Sequence, residues 1–359
     1  MRARDDLAVS LVVGGSHLLP DSGETVRDIS KDHKIDARVY TVVEGETPQT
    51  MSKSIGLGCI EFATVFDQFK PDVVMLHGDR FDIFPAAIAA AMSNIHIAHL
   101  QGGEVTGTID ESVRHSITKL AHLHFVSNQD AAIRVAKLGE DARVIFNVGC
   151  PSVDALRSIS YPSREAFAFT FRATYGGVVN LREPYVLLIQ HPVTTEFGDA
   201  SKHMERTIES IVDTGFPTVL IYPNIDAGSK QMASTLRRLA PLMQSSHIDM
   251  FKHISTQHFF PLLKYTSCIV GNSSSGIREA CYFGTPCVNI GSRQHNRTRG
   301  SNVQDVGYEA RSIAAAIRAQ VQHGPYPVEE LYGHGHAAQK IAQTVAEYPL
   351  PPIQKTITY

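Results

Sequence analysis

Short, near-continuous apolar runs alternate along this chain with longer stretches in which apolar residues return every three or four positions. The runs predict strands at residues 8–13, 72–76, 95–100, 122–126, 144–148, 185–190, 218–222, 248–251, 268–270 and 287–290. The periodic stretches predict helices at 50–69, 84–92, 112–121, 130–138, 202–212, 230–242, 276–283 and 310–322. Strands this uniformly apolar are covered on both faces, so the pattern reads as parallel sheets layered with helices. A polar stretch without strand signals, residues 157–184, interrupts the rhythm. It separates two doubly wound α/β domains, residues 1–160 and 181–335, with a last helix and tail in 336–359 that the pattern assigns to neither. In such folds ligands gather at the carboxyl ends of strands, and that is where candidate chemistry is sought.

Composition narrows the classes. With 33 Lys and Arg against 36 Asp and Glu the formal charge is −3, so the basic surplus of a nucleic-acid or anionic-membrane surface is absent. No run approaches the roughly 18 apolar residues of a membrane span. The five cysteines, Cys59, Cys150, Cys268, Cys281 and Cys287, are odd in number and never spaced C-x-x-C. They argue against a disulfide scaffold or a zinc ribbon and for a reducing cytoplasm.

Three motifs follow predicted strands. Gly271-Asn272-Ser273-Ser274-Ser275-Gly276, with a helix expected from Gly276, offers free N–H groups and hydroxyls to an anion, and Glu279 lies one turn on. The same residues also read as a serine N-cap with a capping-box glutamate. His77-Gly78-Asp79-Arg80 places charge at the end of a buried strand, where it is either paired structurally or used. The run from His99 to His115 carries Glu104, Asp110 and Glu111 on a Gly-rich loop, a supply of general acids and bases, although Asp110 also fits a helix cap. In the second half, His191 and the Asn224–Asp226 turn follow strands, and Arg293, Arg297 and Arg299 with His295 add cations suited to a diphosphate. Among 17 histidines, His122 with His124 and His334 with His336 lack a third ligand at a fitting spacing, so no metal is expected. Neither a P-loop nor a G-x-G-x-x-G fingerprint occurs, and no cofactor is called for.

Taken together, Gly15-Ser16-His17, His77-Gly78-Asp79-Arg80, Gly102-Gly103-Glu104 through Arg114-His115, His191-Pro192-Val193-Thr194-Thr195, Pro223-Asn224-Ile225-Asp226 and Gly271-Asn272-Ser273-Ser274 resemble the hydrolysing UDP-N-acetylglucosamine 2-epimerases of sialic acid biosynthesis. The resemblance implies two Rossmann-like domains of glycosyltransferase B architecture, with UDP mainly on the second and the sugar in the cleft. It implies elimination of UDP from UDP-GlcNAc to a glycal, then addition of water to release N-acetylmannosamine. Asp79 and Glu104 would be the leading acid/base residues, Asp110 the third, and His191 a proton donor or phosphate partner. Arg80, Ser273, Ser274 and Arg293 would meet the diphosphate, Glu279 the ribose, and Asn224 and Asp226 the cleft. A homodimer or homotetramer joined through the early helices is implied as well.

The chain departs from the pattern in three places. Gln101 stands where non-hydrolysing relatives, and some hydrolysing ones, carry Glu, which moves weight to Glu104. The resemblance covers the epimerase half alone, so sugar-kinase activity is not expected, and at the two feedback-site arginines of the animal enzyme this chain has Ser234 and Arg237. Finally, the chain enters directly what the family counts as its second strand. The family's first strand and helix are therefore expected to be missing, and a chain without them is expected to be less stable and weakly active. Related chemistry remains open: a UDP-2,4-diacetamido-trideoxyhexose as substrate, or a UDP-sugar glycosyltransferase of the same architecture.

Overall fold

The computed structural model describes residues 1–45 and 47–358. The chain divides into two units: Met1–Arg157 with Tyr332–Tyr359, and Ser158–Leu331.

In the first unit, strand β1 (Val12–Gly14) is followed by α1 (Val26–Asp32), β2 (Ala37–Val39), α2 (Pro48–Phe69), β3 (Val73–His77) and α3 (Phe84–Met92). Then come β4 (His96–Leu100), α4 (Ile109–Leu120), β5 (Leu123–Val126), α5 (Gln129–Lys137), β6 (Ile145–Asn147) and α6 (Pro151–Ser158). β1 and β2 form a two-stranded parallel sheet, and β3-β4-β5-β6 a four-stranded parallel one. Val39 of β2 and Val74 and Leu76 of β3 are buried in one apolar cluster under α2 and α3. β1 starts later than its apolar run because its partner does. Leu11 already exchanges hydrogen bonds with Asp36, N to Oδ2 at 2.9 Å and O from N at 2.8 Å, and the ladder opens after that turn. Helix α2 starts where Thr47 and Thr50 cap each other reciprocally and Pro48 takes the first turn.

The second unit runs through α7 (Arg164–Tyr175), β7 (Val186–Ile189), α8 (Ala200–Thr214), β8 (Thr218–Ile221), α9 (Ser229–Ser245), β9 (Ile248–Phe251) and α10 (Thr256–Tyr265). It continues through β10 (Cys268–Gly271), β11 (Cys287–Ile290), β12 (Val303–Val306) and α11 (Ala310–His323). Its parallel sheet has the order β12-β11-β10-β7-β8-β9. Leu188 and Val270 point to one face, packed with Met204, Ile208 and Ile317, while Leu187 and Ile269 point to the other, with Phe167, Phe171 and Leu262. The chain winds outward from β7 in one direction and from β10 in the other, so the topological switch lies between these two central strands.

Two expectations change. The helix predicted over 276–283 is absent: the segment makes two short 3₁₀ turns, Ser274–Gly276 and Ala280–Tyr282. Serine hydroxyls compete for the backbone there, and Ser273 Oγ accepts from Ser275 N at 3.3 Å. The last helix, α12 (Ala337–Glu347), was open between two partners; it packs Ala337 and Ile341 against Leu100, Phe125 and Val148 of the first unit.

Candidate functional site

In the first unit, the loops after two strands converge on one buried cation. Arg114, on α4, is 1% exposed. Its Nη1 donates to the Glu104 carbonyl at 2.7 Å, and its Nη2 donates to Asp79 Oδ2 and to Thr106 Oγ1 at 3.4 Å. The loop after β3 and the loop after β4 are thereby tied to the same guanidinium. Glu104 is itself buried, its Oε1 accepting from Ser127 Oγ at 2.6 Å at the end of β5. Its position depends on Gly103, whose φ is +76° and where a Cβ would stand 2.3 Å from the Ala131 carbonyl of α5. Beneath the loops, His99 bonds Gly78 O at 2.9 Å and Thr118 Oγ1 at 3.2 Å. Burial pushes its ring down to about 3, so the support is a neutral one.

Asp110 is buried one helical turn before Arg114, on the same face of α4. It is not the cap: Thr108 fills that position, its side chain accepting from Asp110 N at 3.3 Å. Arg80 donates from Nε to Asp82 Oδ1 at 3.3 Å. Gln101 is buried, holds a left-handed φ of +65° uncommon for a side-chain-bearing residue, and donates to Cys150 Sγ at 3.0 Å.

In the second unit, the site residues cluster at the switch between β7 and β10. His191 N–H donates to Asn272 Oδ1 at 2.7 Å, and Asn272 Nδ2 donates back to the His191 carbonyl at 2.9 Å. His191 Nδ1 accepts from Asn224 N at 3.2 Å, and Asn224 Nδ2 donates to Asp226 Oδ2. Arg293 Nη1 and Gln294 Nε2 both reach the Asn272 carbonyl, at 3.1 and 2.9 Å. The serine turn comes next in the chain, with Ser274 Oγ accepting from Arg278 Nη2 at 3.2 Å. Glu279 is 4% exposed; Arg278 Nε stands 3.9 Å from its Oε1, and its Oε2 has no hydrogen-bond partner among the described residues. Both amide atoms of Gln190, Oδ1 of Asn224 and Oγ of Ser229 are likewise buried without one.

Asp79, Glu104 and Asp110 thus lie near Arg114 in one unit, while His191, Asn224, Asp226 and Arg293 are linked through Asn272 in the other. Arg114 and Asn272 stood in the motifs read from the sequence without a role of their own, and Arg278 was given none either. Asn272 had a signal, since it directly follows the glycine that ends a strand. Among the described residues no group of three or more His, Cys, Asp or Glu side chains is arranged to hold a metal ion, and no helix is long and apolar enough to cross a membrane.

Known proteins are similar to this chain over nearly its whole length. A UDP-N,N'-diacetylbacillosamine 2-epimerase (hydrolyzing) from Legionella pneumophila is 33% identical over 347 residues, covering 96% of this chain and 90% of its own. A UDP-N-acetylglucosamine 2-epimerase from Neisseria meningitidis is 31% identical over 331 residues, with 92% and 84% covered. The crystal structure of the Methanocaldococcus jannaschii UDP-GlcNAc 2-epimerase in complex with UDP-GlcNAc and UDP shares the fold, with a TM-score of 0.72 at 19% identity, covering 94% of this chain and 98% of that one. The two Rossmann-like units are those of the glycosyltransferase B class. A family model described as UDP-N-acetylglucosamine 2-epimerase matches residues 1–346, and the chain belongs to that family of enzymes.

Proposed function

We propose that the chain is a hydrolysing 2-epimerase that converts UDP-N-acetylglucosamine to N-acetylmannosamine and UDP, feeding sialic acid synthesis. The observation that carries the reading is the set of buried polar atoms lacking partners at the β7/β10 switch. Buried polar groups are paired in native proteins, and an unanswered one costs about 1–3 kcal/mol. Glu279 Oε2 can only accept while ionised, and a ribose diol supplies the O–H donors it lacks. Ser273, Ser274, Arg278 and Arg293 surround the same turn with donors for a diphosphate.

In the first unit, Asp79 and Glu104 with Asp110 move the protons. One carboxylate takes the C2 proton as the C1–O bond breaks, and its electron pair leaves with UDP, giving the C1=C2 glycal. Water then adds its hydroxyl to C1, and a carboxyl returns a proton to C2 on the opposite face. No hydride moves in this sequence, so no nicotinamide takes part. Arg80 joins the diphosphate contacts, and Asn224 and Asp226 line the sugar side. The unpaired state of all five cysteines supports a cytoplasmic setting. A homodimer or homotetramer in which early helices meet completes the reading, as the family resemblance implies.

Incubation with UDP-GlcNAc in deuterated water, followed by proton NMR, tests the reading: free N-acetylmannosamine deuterated at C2 is expected. UDP-N-acetylmannosamine as the product, or turnover only with an acceptor, overturns it. The Legionella likeness favours a second reading, the same elimination on a UDP-2,4-diacetamido-trideoxyhexose. Parallel assays with both nucleotide sugars separate them by kcat/KM.

A further inference from the structure

We infer that Asn272 is a positioning residue that presents His191 as a neutral imidazole protonated on Nε2, so that His191 serves the leaving diphosphate as a hydrogen-bond donor and not as a base. The inference rests on the proposed epimerase reading for its consequence, but its geometry stands alone.

The clamp begins with the two central strands. Ile189 of β7 pairs with Gly271 of β10; the chain steps from Gly271 directly to Asn272 and from Ile189 through Gln190 to His191. Asn272 is wholly buried, and its amide makes both of its bonds to the backbone of one residue, accepting from His191 N–H and donating to His191 C=O. A main-chain N–H only donates and a carbonyl only accepts, so the Asn272 amide has a single orientation. His191 is thereby fixed on its main chain, and its ring meets Asn224 N.

That last contact decides the tautomer. Asn224 N–H only donates, so Nδ1 must hold a lone pair, and the ring proton of the neutral form is on Nε2. Protonating Nδ1 as well would set two N–H groups against each other and forfeit the bond. The Asn272 carbonyl meanwhile takes Arg293 and Gln294, so one buried residue sets both the imidazole and the nearby cation. Cleavage of the C1–O bond builds charge on the diphosphate, and fixed donors aimed at developing charge are what accelerate such a step.

The test reads the tautomer and the chemistry separately. Full-length protein labelled with ¹⁵N-histidine gives long-range proton–nitrogen correlations, the His191 signals being identified by their loss in His191→Gln. An acceptor-type Nδ1 with a protonated Nε2 is expected; a protonated Nδ1 overturns the inference. Asn272→Asp keeps an acceptor for His191 N–H but turns a carboxylate oxygen toward its carbonyl, and a mixture of tautomers is expected. A spectrum unchanged from the parent overturns the positioning role. In turnover, His191→Gln retains a donor near the Nε2 position and His191→Asn does not. The Asn variant is expected to fall below the Gln variant by about a hundredfold in kcat/KM, the usual cost of one lost donor. Equal rates for the two overturn the donor role. If the parent protein turns over no nucleotide sugar, the epimerase reading fails, and the spectra still decide the tautomer.

Discussion

Arg114 lies wholly inside the first unit, where a guanidinium is costly unless its donors are answered. It is answered by Asp79, the Glu104 carbonyl and Thr106, and the fork spreads its donors over two terminal nitrogens where an ammonium gathers all three on one atom. Arg114→Lys is therefore expected to keep the charge and lose the geometry, with kcat reduced at least tenfold, while Arg114→Met costs about 3–5 kcal/mol by stranding Asp79. Steady-state kinetics and denaturant unfolding on the two variants check this; a fully active Arg114→Met would remove the guanidinium from the account. The carboxylates have a different signature. On the proposed acid/base roles, Asp79→Asn and Glu104→Gln are each expected to cut turnover by about a hundredfold or more while UDP still binds. Normal turnover in both would sink the acid/base assignment. Asp79 and Glu104 were legible as charged residues in the short loops that follow apolar runs. Arg114 stood in the same motif as Glu104, but its role as a buried clamp was not legible, because on an amphipathic helix a polar residue reads as exposed and only the fold turns that face inward.

Strands buried on both faces announce themselves, which is why β11, buried at every position, matches its apolar run residue for residue. β2 and β12 escaped notice for the opposite reason: Ala37–Val39 is three residues long, and Val303–Val306 is a sheet edge with two exposed polar positions. The serine turn misled because its pattern of small, polar and apolar residues fits a helix, while hydroxyls close to the backbone draw it into 3₁₀ geometry. What the elements do precisely for the site is bring β7 against β10. Gly271, at φ +119°, ends β10 where a Cβ would stand 2.1 Å from the Ile189 carbonyl. Gly271→Ala is expected to cost about 3 kcal/mol through strain and forced separation of the strands, and to weaken UDP binding with it. Gly307→Ala, at an exposed glycine with open space around its Cβ position, is the matched control and is expected to unfold like the parent. Equal unfolding midpoints for the two variants would show that the central strands have room to spare.

At the scale of the whole chain, the polypeptide leaves the first unit at Arg157, builds the second, and returns at Tyr332 to finish the first. The returning tail is held by histidines and by one carboxylate. His96 Nε2 meets the Pro351 carbonyl at 2.8 Å and His122 Nε2 the Ile353 carbonyl at 2.9 Å. Lys355 then bonds the Ala121 carbonyl at 2.6 Å and Glu140 Oε2 at 2.5 Å. Glu140 is nearly buried and also receives Lys119 at 2.5 Å and His124 at 3.1 Å. Burial alone would raise its carboxyl, but hydrogen bonds from His124, Lys119 and Lys355 win and hold it at about 2, below the ordinary 4.5. A carboxyl depressed on folding stabilises fully above its unfolded value and loses that contribution as pH falls from about 4.5 toward 2. Glu140→Gln is accordingly expected to melt well below the parent at pH 7, and the gap should narrow on acidification through that window. Melting curves of both proteins from pH 7 to pH 3 give the answer directly. A gap that stays constant with pH would mean that the tail is held by its histidine contacts and apolar packing, with the ion cluster contributing nothing net, as buried ion pairs sometimes do once desolvation is counted.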